Sequence, residues 1–323
     1  MTSILLYAGL LILCFVVLVK GADVLVDGAS DVAKALKIPS VIIGLTIVAF
    51  GTSAPEAGVS ITSSVLGMDK LSISNVVGSN AFNLLVVVGL CAAIRGFAVD
   101  SEIRKRDYPL CILFSALLIF FVRDLKISRI EGIILFALVL GYVTLLIIMS
   151  IKASSMMSHD DNDKVSGKRV VLSLLKIVLS VACIYLSSRG IVKSCSFFAK
   201  LFGVSDTIIG LTIVAFGTSL PELATSVVAS KKGENGIALG NVVGSNISNI
   251  LFVLGISSSI NPIGNLSKGN LVDTIICLGI TAFCGIFVFV FKKFKRIDGI
   301  IMLLIYAAYM AFVFMREFGV IVL

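Results

Sequence analysis

The chain has 323 residues, 58% of them hydrophobic and only 14% charged, with a mean hydropathy of +1.10. Soluble domains carry roughly 45–50% apolar and about 25% charged residues, so this composition excludes a soluble globular protein and predicts a polytopic membrane protein. A net charge of +8 in such a chain reads as basic loops beside anionic lipid, with no nucleic-acid partner.

A membrane-spanning helix needs about 20 apolar residues. Ten spans are predicted, in chain order: 3–21 (continuing amphipathically to 36), 40–66, 72–94, 107–122, 128–150, 170–201, 206–230, 236–260, 271–291 and 297–316. The first apolar run, Ile4 to Val19, lacks a basic n-region and a cleavage signal and reads as a retained helix. The longest polar connection, 152–169, separates a first five-span half, 1–151, from a second, 170–323. Within it, His159-Asp160-Asp161-Asn162-Asp163 lacks the glycine and closing glutamate of an EF-hand loop and reads as a solvated linker. His159 is the single histidine, which excludes a His-based metal centre. The seven cysteines form no CxxC pair and give no disulfide framework.

With the N-terminus outside, the cytoplasmic segments hold about twice as many lysines and arginines as the external ones, including Arg104-Lys105-Arg106 and Lys292-Lys293. The positive-inside bias therefore predicts both termini outside and a cytoplasmic central loop, in an inner or plasma membrane. Five spans per half is an odd number. A second copy displaced by five spans crosses the membrane in the opposite sense, the inverted-repeat architecture of secondary transporters.

The copies are explicit. GLTIVAFGTSAPE at 44–56 returns as GLTIVAFGTSLPE at 210–222, and NVVGSNAFN at 75–83 as NVVGSNISN at 241–249, all at one offset of 166 residues. The motif regions 44–83 and 210–249 place glutamates, prolines and hydroxyls inside apolar spans, where polar groups are costly and mark function. Pro55 has no N–H to offer the carbonyl of Gly51, so the helix is expected to unwind beside Thr52, Ser53 and Glu56. Gly217, Thr218, Ser219, Pro221 and Glu222 repeat the pattern. Ser79 and Asn83, and likewise Ser245 and Asn249, are four residues apart and share a helix face. Asn80 and Asn246 suit helix packing at least as well as ligation. Two carboxylates, carboxamides, hydroxyls and carbonyls, without sulfur or imidazole, suit calcium or sodium rather than copper, zinc or iron. Two neighbouring carboxylates in low dielectric need a divalent cation or a proton. The glycines form no P-loop, which leaves an ATP-driven pump unsupported. A cation channel would line its pore with the same ligands, and an enzyme would need a nucleophile–base pair or metal-activated water that the motifs do not supply.

GTSAPE and GTSLPE with paired GSNxxN resemble the repeats of the calcium/cation antiporter superfamily, most closely the prokaryotic sodium/calcium exchangers. The resemblance implies an all-α membrane protein of ten transmembrane helices in two inverted five-helix repeats, with the first and sixth helices sliding past a fixed core. It implies exchange of Ca2+ against Na+ by alternating access, with no cofactor, in a chain that functions as a monomer. It places divalent-ion ligands on Glu56 and Glu222 with carbonyls of Thr52 and Thr218. Sodium ligands fall on Ala49, Ser53 and Ser79, and on Ala215, Ser219 and Ser245, the alanines acting through their carbonyls, with Asn83 at the central amide. Asn249 departs from the pattern, because many sodium/calcium exchangers carry aspartate there. Proton-coupled and potassium-dependent exchange thus remain alternatives. The offset also aligns Asp23 with Arg189 and Asp27 with Lys193; acids would attract cations at the cytoplasmic mouth while the bases tune the external one, or all four anchor helix ends at the interface.

Overall fold

A computed structural model describes residues 2–157, 167–203 and 215–321. Residues 158–166 of the polar connection, which hold the His159–Asp163 run, and the predicted start of the seventh span, 206–214, lie outside the described residues. The ten predicted spans correspond to ten helical segments. They are α1 (Thr2–Ala35), α2 (arms Ser40–Thr52 and Ala54–Val65), α3 (Asp69–Ile94), α4 (Tyr108–Val122, preceded by a π turn at Ile103–Asp107) and α5 (Arg129–Met157). The second half supplies α6 (Gly167–Leu201), α7 (arms Ala215–Thr218 and Leu220–Lys232), α8 (Asn235–Ile260), α9 (Lys268–Phe291) and α10 (Arg296–Glu317). Among the described residues seven helices are long and apolar enough to cross a membrane, eight with the bent α2 counted as one span.

The apolar core has two parts. One joins α2 to α5 with α8 to α10, through residues such as Leu45, Val76, Leu85, Leu135, Val243 and Leu251. The other lies along α1 and α6, with Leu18, Leu25, Ile177 and Ile184 meeting Ile43, Ala229 and Ile237. These two long helices touch closely at glycines, since a Cβ on Gly21 would lie 2.9 Å from Ile184 and one on Gly28 3.0 Å from Ile177. Their outer faces carry exposed Leu5, Leu6, Val178 and Leu186, as lipid contact requires.

Enclosure differs sharply between helices. The apolar window of α8 is 94% buried and that of α3 is 78% buried, against 11% for α1 and α10. The polar residues of α3 and α8 therefore face protein, not lipid. Gly236, Gly240 and Gly244 recur every fourth residue on α8 and let its backbone meet α2. A Cβ on Gly240 would stand 2.8 Å from the Val41 carbonyl, and one on Gly244 2.7 Å from the Leu45 carbonyl. This seam joins an arm of the first half to the most buried helix of the second.

The loops show the same relation between halves. Phe97 and Ala98 pair antiparallel with Phe294 and Lys293 at one end of α4, and Ile127 bridges to Ile263 at the other. The 166-residue offset turns Phe97 into Ile263 and Ile127 into Lys293, so the two contacts are counterparts at opposite ends of the bundle. Asp107 and Asp273 are a further offset pair. Asp107 accepts from Arg106 at 2.7 Å and Tyr142 at 3.1 Å, while Arg316 grips both oxygens of Asp273 at 2.7 Å. These contacts tie α4 to α5 and α9 to α10.

Gly244→Ala should lower stability by about 1–3 kcal/mol through overpacking of the α2–α8 seam. Gly141→Ala, on the exposed face of α5, should be neutral or add about 0.5–1 kcal/mol. Unfolding of both variants in detergent checks the contrast.

Candidate functional site

The duplicated motifs converge where the two broken helices meet α3 and α8. Ser53 leaves helical geometry at φ −80°, ψ 6°, and Ser219 at φ −91°, ψ 5°. Each break is followed by a helix with proline in its first turn, Pro55 and Pro221, where a missing N–H costs nothing. The two arms of α2 meet at a bend of 48°. Glu56 and Glu222 therefore each sit in the first turn of a new helix. Both are fully buried.

Each carboxylate is braced by both halves. Ser219 Oγ donates to Glu56 Oε1 at 3.0 Å, and Ser53 Oγ donates to Glu222 Oε1 at 3.0 Å. Ser79 reaches Glu56 Oε1 at 3.2 Å, and Ser245 reaches Glu222 Oε1 at 3.4 Å. Ser79 Oγ also lies 2.9 Å from Ser219 Oγ. Each hydroxyl has one proton, so at most two of the three contacts among Ser79, Ser219 and Glu56 are hydrogen bonds at once.

The amides form a second reciprocal set. Asn80 Nδ2 donates to the Asn246 carbonyl at 3.2 Å, and Asn246 Nδ2 returns a bond to the Asn80 carbonyl at 3.1 Å. These residues are 166 apart, so a pseudo-twofold axis passes between them. Asn83 donates to Asn246 Oδ1 at 3.1 Å, and Asn249 to Asn80 Oδ1 at 3.0 Å and Ser79 Oγ at 3.3 Å. Asn80 and Asn246 are thus engaged in packing, the second of the two roles open to them. Asn83 and Asn249 each open a π turn, Asn83–Val87 and Asn249–Leu254. Such turns recur at functional positions because they re-aim a side chain within a helix.

Four buried acceptors in this cluster receive no donor: Glu56 Oε2, Glu222 Oε2, Asn83 Oδ1 and Asn249 Oδ1. They form two pairs at the 166-residue offset. Buried oxygens without a donor are costly, and a cation is the partner that only acceptors can bind. Of the other anticipated ligands, Thr52 is buried with its single hydroxyl proton shared between Asn241 Oδ1 at 3.0 Å and the Ala49 carbonyl at 3.3 Å. Ser245 also approaches the Ala49 carbonyl at 3.4 Å. Thr218 is buried at the end of the short arm that Ala215 begins.

The proline-freed carbonyls differ between copies. The Gly217 carbonyl accepts from Ser188 of α6, so it is tied to the neighbouring helix rather than offered to a ligand. The offset equivalent of Ser188 is Ala22, which has no hydroxyl. Sequence reasoning also gave no role to Asn75 and Asn241, the first residues of the NVVGSN motifs. They buttress the breaks: Asn75 donates to Ser60 at 2.9 Å and to the Glu56 carbonyl at 3.2 Å, and Asn241 donates to Ser226 at 2.9 Å. Their place in the repeat was the available signal.

The two ends of the site are unequal. Near the end of the bundle where α1 begins and α6 finishes, a cavity of about 840 Å³ reaches Pro55 and Thr218. At the other end Lys232 of α7 holds Asp23 and Asp27 of α1, each at 2.7 Å, and Ser30 donates to Glu234 at 2.8 Å. Asp23 and Asp27, read from the sequence either as attracting cations at a mouth or as anchoring helix ends, are thus ion-paired across this contact. All seven cysteines are free thiols.

The profile of the sodium/calcium exchanger protein family matches residues 6–148 and 172–315, one segment in each half. The sodium/calcium exchanger MaX1 of Methanosarcina acetivorans is 33% identical over 94% of this chain and 97% of its own length. The inner membrane protein YrbG of Escherichia coli is 37% identical over 80% of this chain and 81% of its own. Among solved structures, the sodium-calcium exchanger NCX_Mj soaked with 10 mM Na+ and zero Ca2+ superposes with a TM-score of 0.84. It is 29% identical, with 95% of this chain and 99% of that one covered. The offset-related motifs, the breaks they produce and the matches across both halves lead to one conclusion: this multi-pass membrane protein belongs to the sodium/calcium exchanger family and is a transporter rather than an enzyme.

Proposed function

We propose that this chain is a secondary active antiporter that exchanges Ca2+ against Na+ by alternating access. The observation that carries the reading is the set of four undonated oxygens, on Glu56, Glu222, Asn83 and Asn249, buried among hydroxyls at the meeting of the halves. Two carboxylates balance one divalent cation, and calcium accepts 6–8 oxygens. Glu56 and Glu222 supply the charge, with the Thr52 and Thr218 carbonyls beside them. Sodium uses Ser53, Ser79, Ser219 and Ser245 with the carbonyls of Ala49 and Ala215, and Asn83 and Asn249 complete the centre. No cofactor is needed, and a single chain contains every ligand.

Emptied of cations, the site would hold two buried charges of one sign, which is unfavourable in low dielectric. The unloaded carrier therefore resists crossing, and exchange is obligatory. Sodium is the coupling ion this reading prefers because Asn249, an amide that donates to Ser79 and Asn80, carries no titratable proton where an aspartate would add one. The five-helix units 1–151 and 170–323, joined by a cytoplasmic 152–169, would lie in an inner or plasma membrane with both termini outside. The cavity then faces outward, and the Lys232 contact seals the cytoplasmic end.

Radiolabelled calcium uptake into proteoliposomes tests the reading, with sodium, potassium and proton gradients imposed one at a time. Uptake driven by an opposing sodium gradient is expected. Conductive flux independent of sodium would identify a channel instead, and uptake driven by protons alone would identify proton coupling. Glu56→Gln and Glu222→Gln should each reduce exchange to background, because one carboxylate leaves a divalent ion under-neutralised. Asn249→Asp should tighten calcium binding or make exchange pH-dependent; unchanged affinity and a flat pH profile would remove Asn249 from the site. Exposed ion pairs contribute about 1 kcal/mol or less each. Lys232→Gln should therefore raise the population open at that end by no more than about 30-fold for the two pairs, read as faster amide exchange in residues 20–35 of α1.

A further inference from the structure

Among its described lining residues the cavity carries the wrong sign of charge for a simple funnel to a cation site. Its wall includes Pro55 and Thr62 of α2, Arg189 and Lys193 of α6, and Gly217 and Thr218 of α7. Pro55 adjoins Glu56 and Thr218 adjoins Ser219, so the cavity ends at the rim of the ion site. Arg189 and Lys193 are four residues apart on α6 and share a helix face. The Arg189 guanidinium rests 5.8 Å from the Tyr185 ring centroid, with Nη1 3.4 Å from the Tyr185 hydroxyl. Tyr185 is itself part of the wall. Among the described lining residues there is no carboxylate. A cleft lined by one sign of charge focuses the potential within it. The offset-equivalent positions at the other end carry the opposite sign, Asp23 and Asp27, there matched by Lys232.

We propose that Arg189 and Lys193 form a valence filter at this mouth, favouring access of monovalent over divalent cations. The inference rests on the antiport reading above. A positive potential reduces the local concentration of an ion by a Boltzmann factor whose exponent scales with its valence. The penalty for Ca2+ is therefore the square of the penalty for Na+. Sodium loads from this side at little disadvantage, while calcium that has left is hindered from returning. The filter leaves the thermodynamic direction of exchange to the ion gradients and acts on the concentrations at which each ion half-saturates this face.

The test uses the full chain in proteoliposomes at fixed ionic strength, held with choline chloride. Half-saturating Ca2+ and Na+ are measured from each side for the wild type and the Arg189→Gln/Lys193→Gln double variant. Arg189→Lys/Lys193→Arg is the charge-conserving control. At the cavity face, loss of both charges should lower half-saturating Ca2+ by about three- to tenfold, the order expected for two unit charges acting on a divalent ion through a water-filled, screened space. Half-saturating Na+ should fall by the square root of that factor. Both effects should fade toward about 1 M salt, be absent from the opposite face, and be missing in the charge-conserving control. Equal proportional shifts for the two ions, or no shift, with exchange intact, would overturn the filter and leave the antiport reading standing. Absence of sodium–calcium exchange in the wild type would overturn both.

Discussion

Glu56 and Glu222 each have one carboxylate oxygen held by serines from both halves and the other without a donor. Removing a carboxylate from water costs several kcal/mol after relaxation, and neutral hydrogen bonds recover only part of that. The surrounding architecture keeps this arrangement in place. The helix breaks aim first-turn carboxylates inward, the glycine seam brings α2 against α8, and the enclosed α3 and α8 supply the serines and amides. The protein holds the oxygens in position at a standing cost that a bound cation, as proposed, would relieve. That cost links ion occupancy to conformation, because the state a membrane protein least tolerates is the site with its charges unmatched.

The reciprocity of the bonds explains why two copies are needed. A serine in one broken helix donates to the glutamate of the other, and the exchange runs in both directions. Neither half completes a braced carboxylate alone. The Asn80–Asn246 pair fixes the axis through backbone carbonyls, leaving the side-chain oxygens of Asn83 and Asn249 to the site.

Much of this was legible in the sequence. The offset of 166 residues paired every central residue before any geometry was known, and the prolines located the breaks. The segment boundaries followed because apolar runs must match the bilayer thickness. The π turns at Asn83 and Asn249 were not legible, since a one-residue widening of a helix leaves the apolar pattern nearly unchanged. Lys232 was missed for a different reason. Its offset equivalent is Leu66, so a reading guided by symmetry had no cause to pair it with Asp23 and Asp27. Ser188 and the Gly217 carbonyl fall in the same class, with Ala22 at the equivalent position. Asp107 and Asp273 do obey the offset, but they stand outside the motifs where attention to it was confined.

The centre and the mouths consequently have different symmetry. At the centre both halves contribute the same residue types, so the ligands offered to an ion are nearly independent of the side from which it came. At the mouths the equivalents diverge in sign: Arg189 and Lys193 at one end, Asp23 and Asp27 at the other. A carrier working by the proposed alternating access would benefit from this division. If the centre favoured one face strongly, one conformation would trap the ion and turnover would slow. Any sidedness must then reside where ions approach and where contacts close. The polar part of that closure consists of partly exposed ion pairs and the Ser30–Glu234 hydrogen bond, each weak enough to break at a cost of about 1 kcal/mol. A buried, fully satisfied bridge at that place would have locked the molecule in a single state.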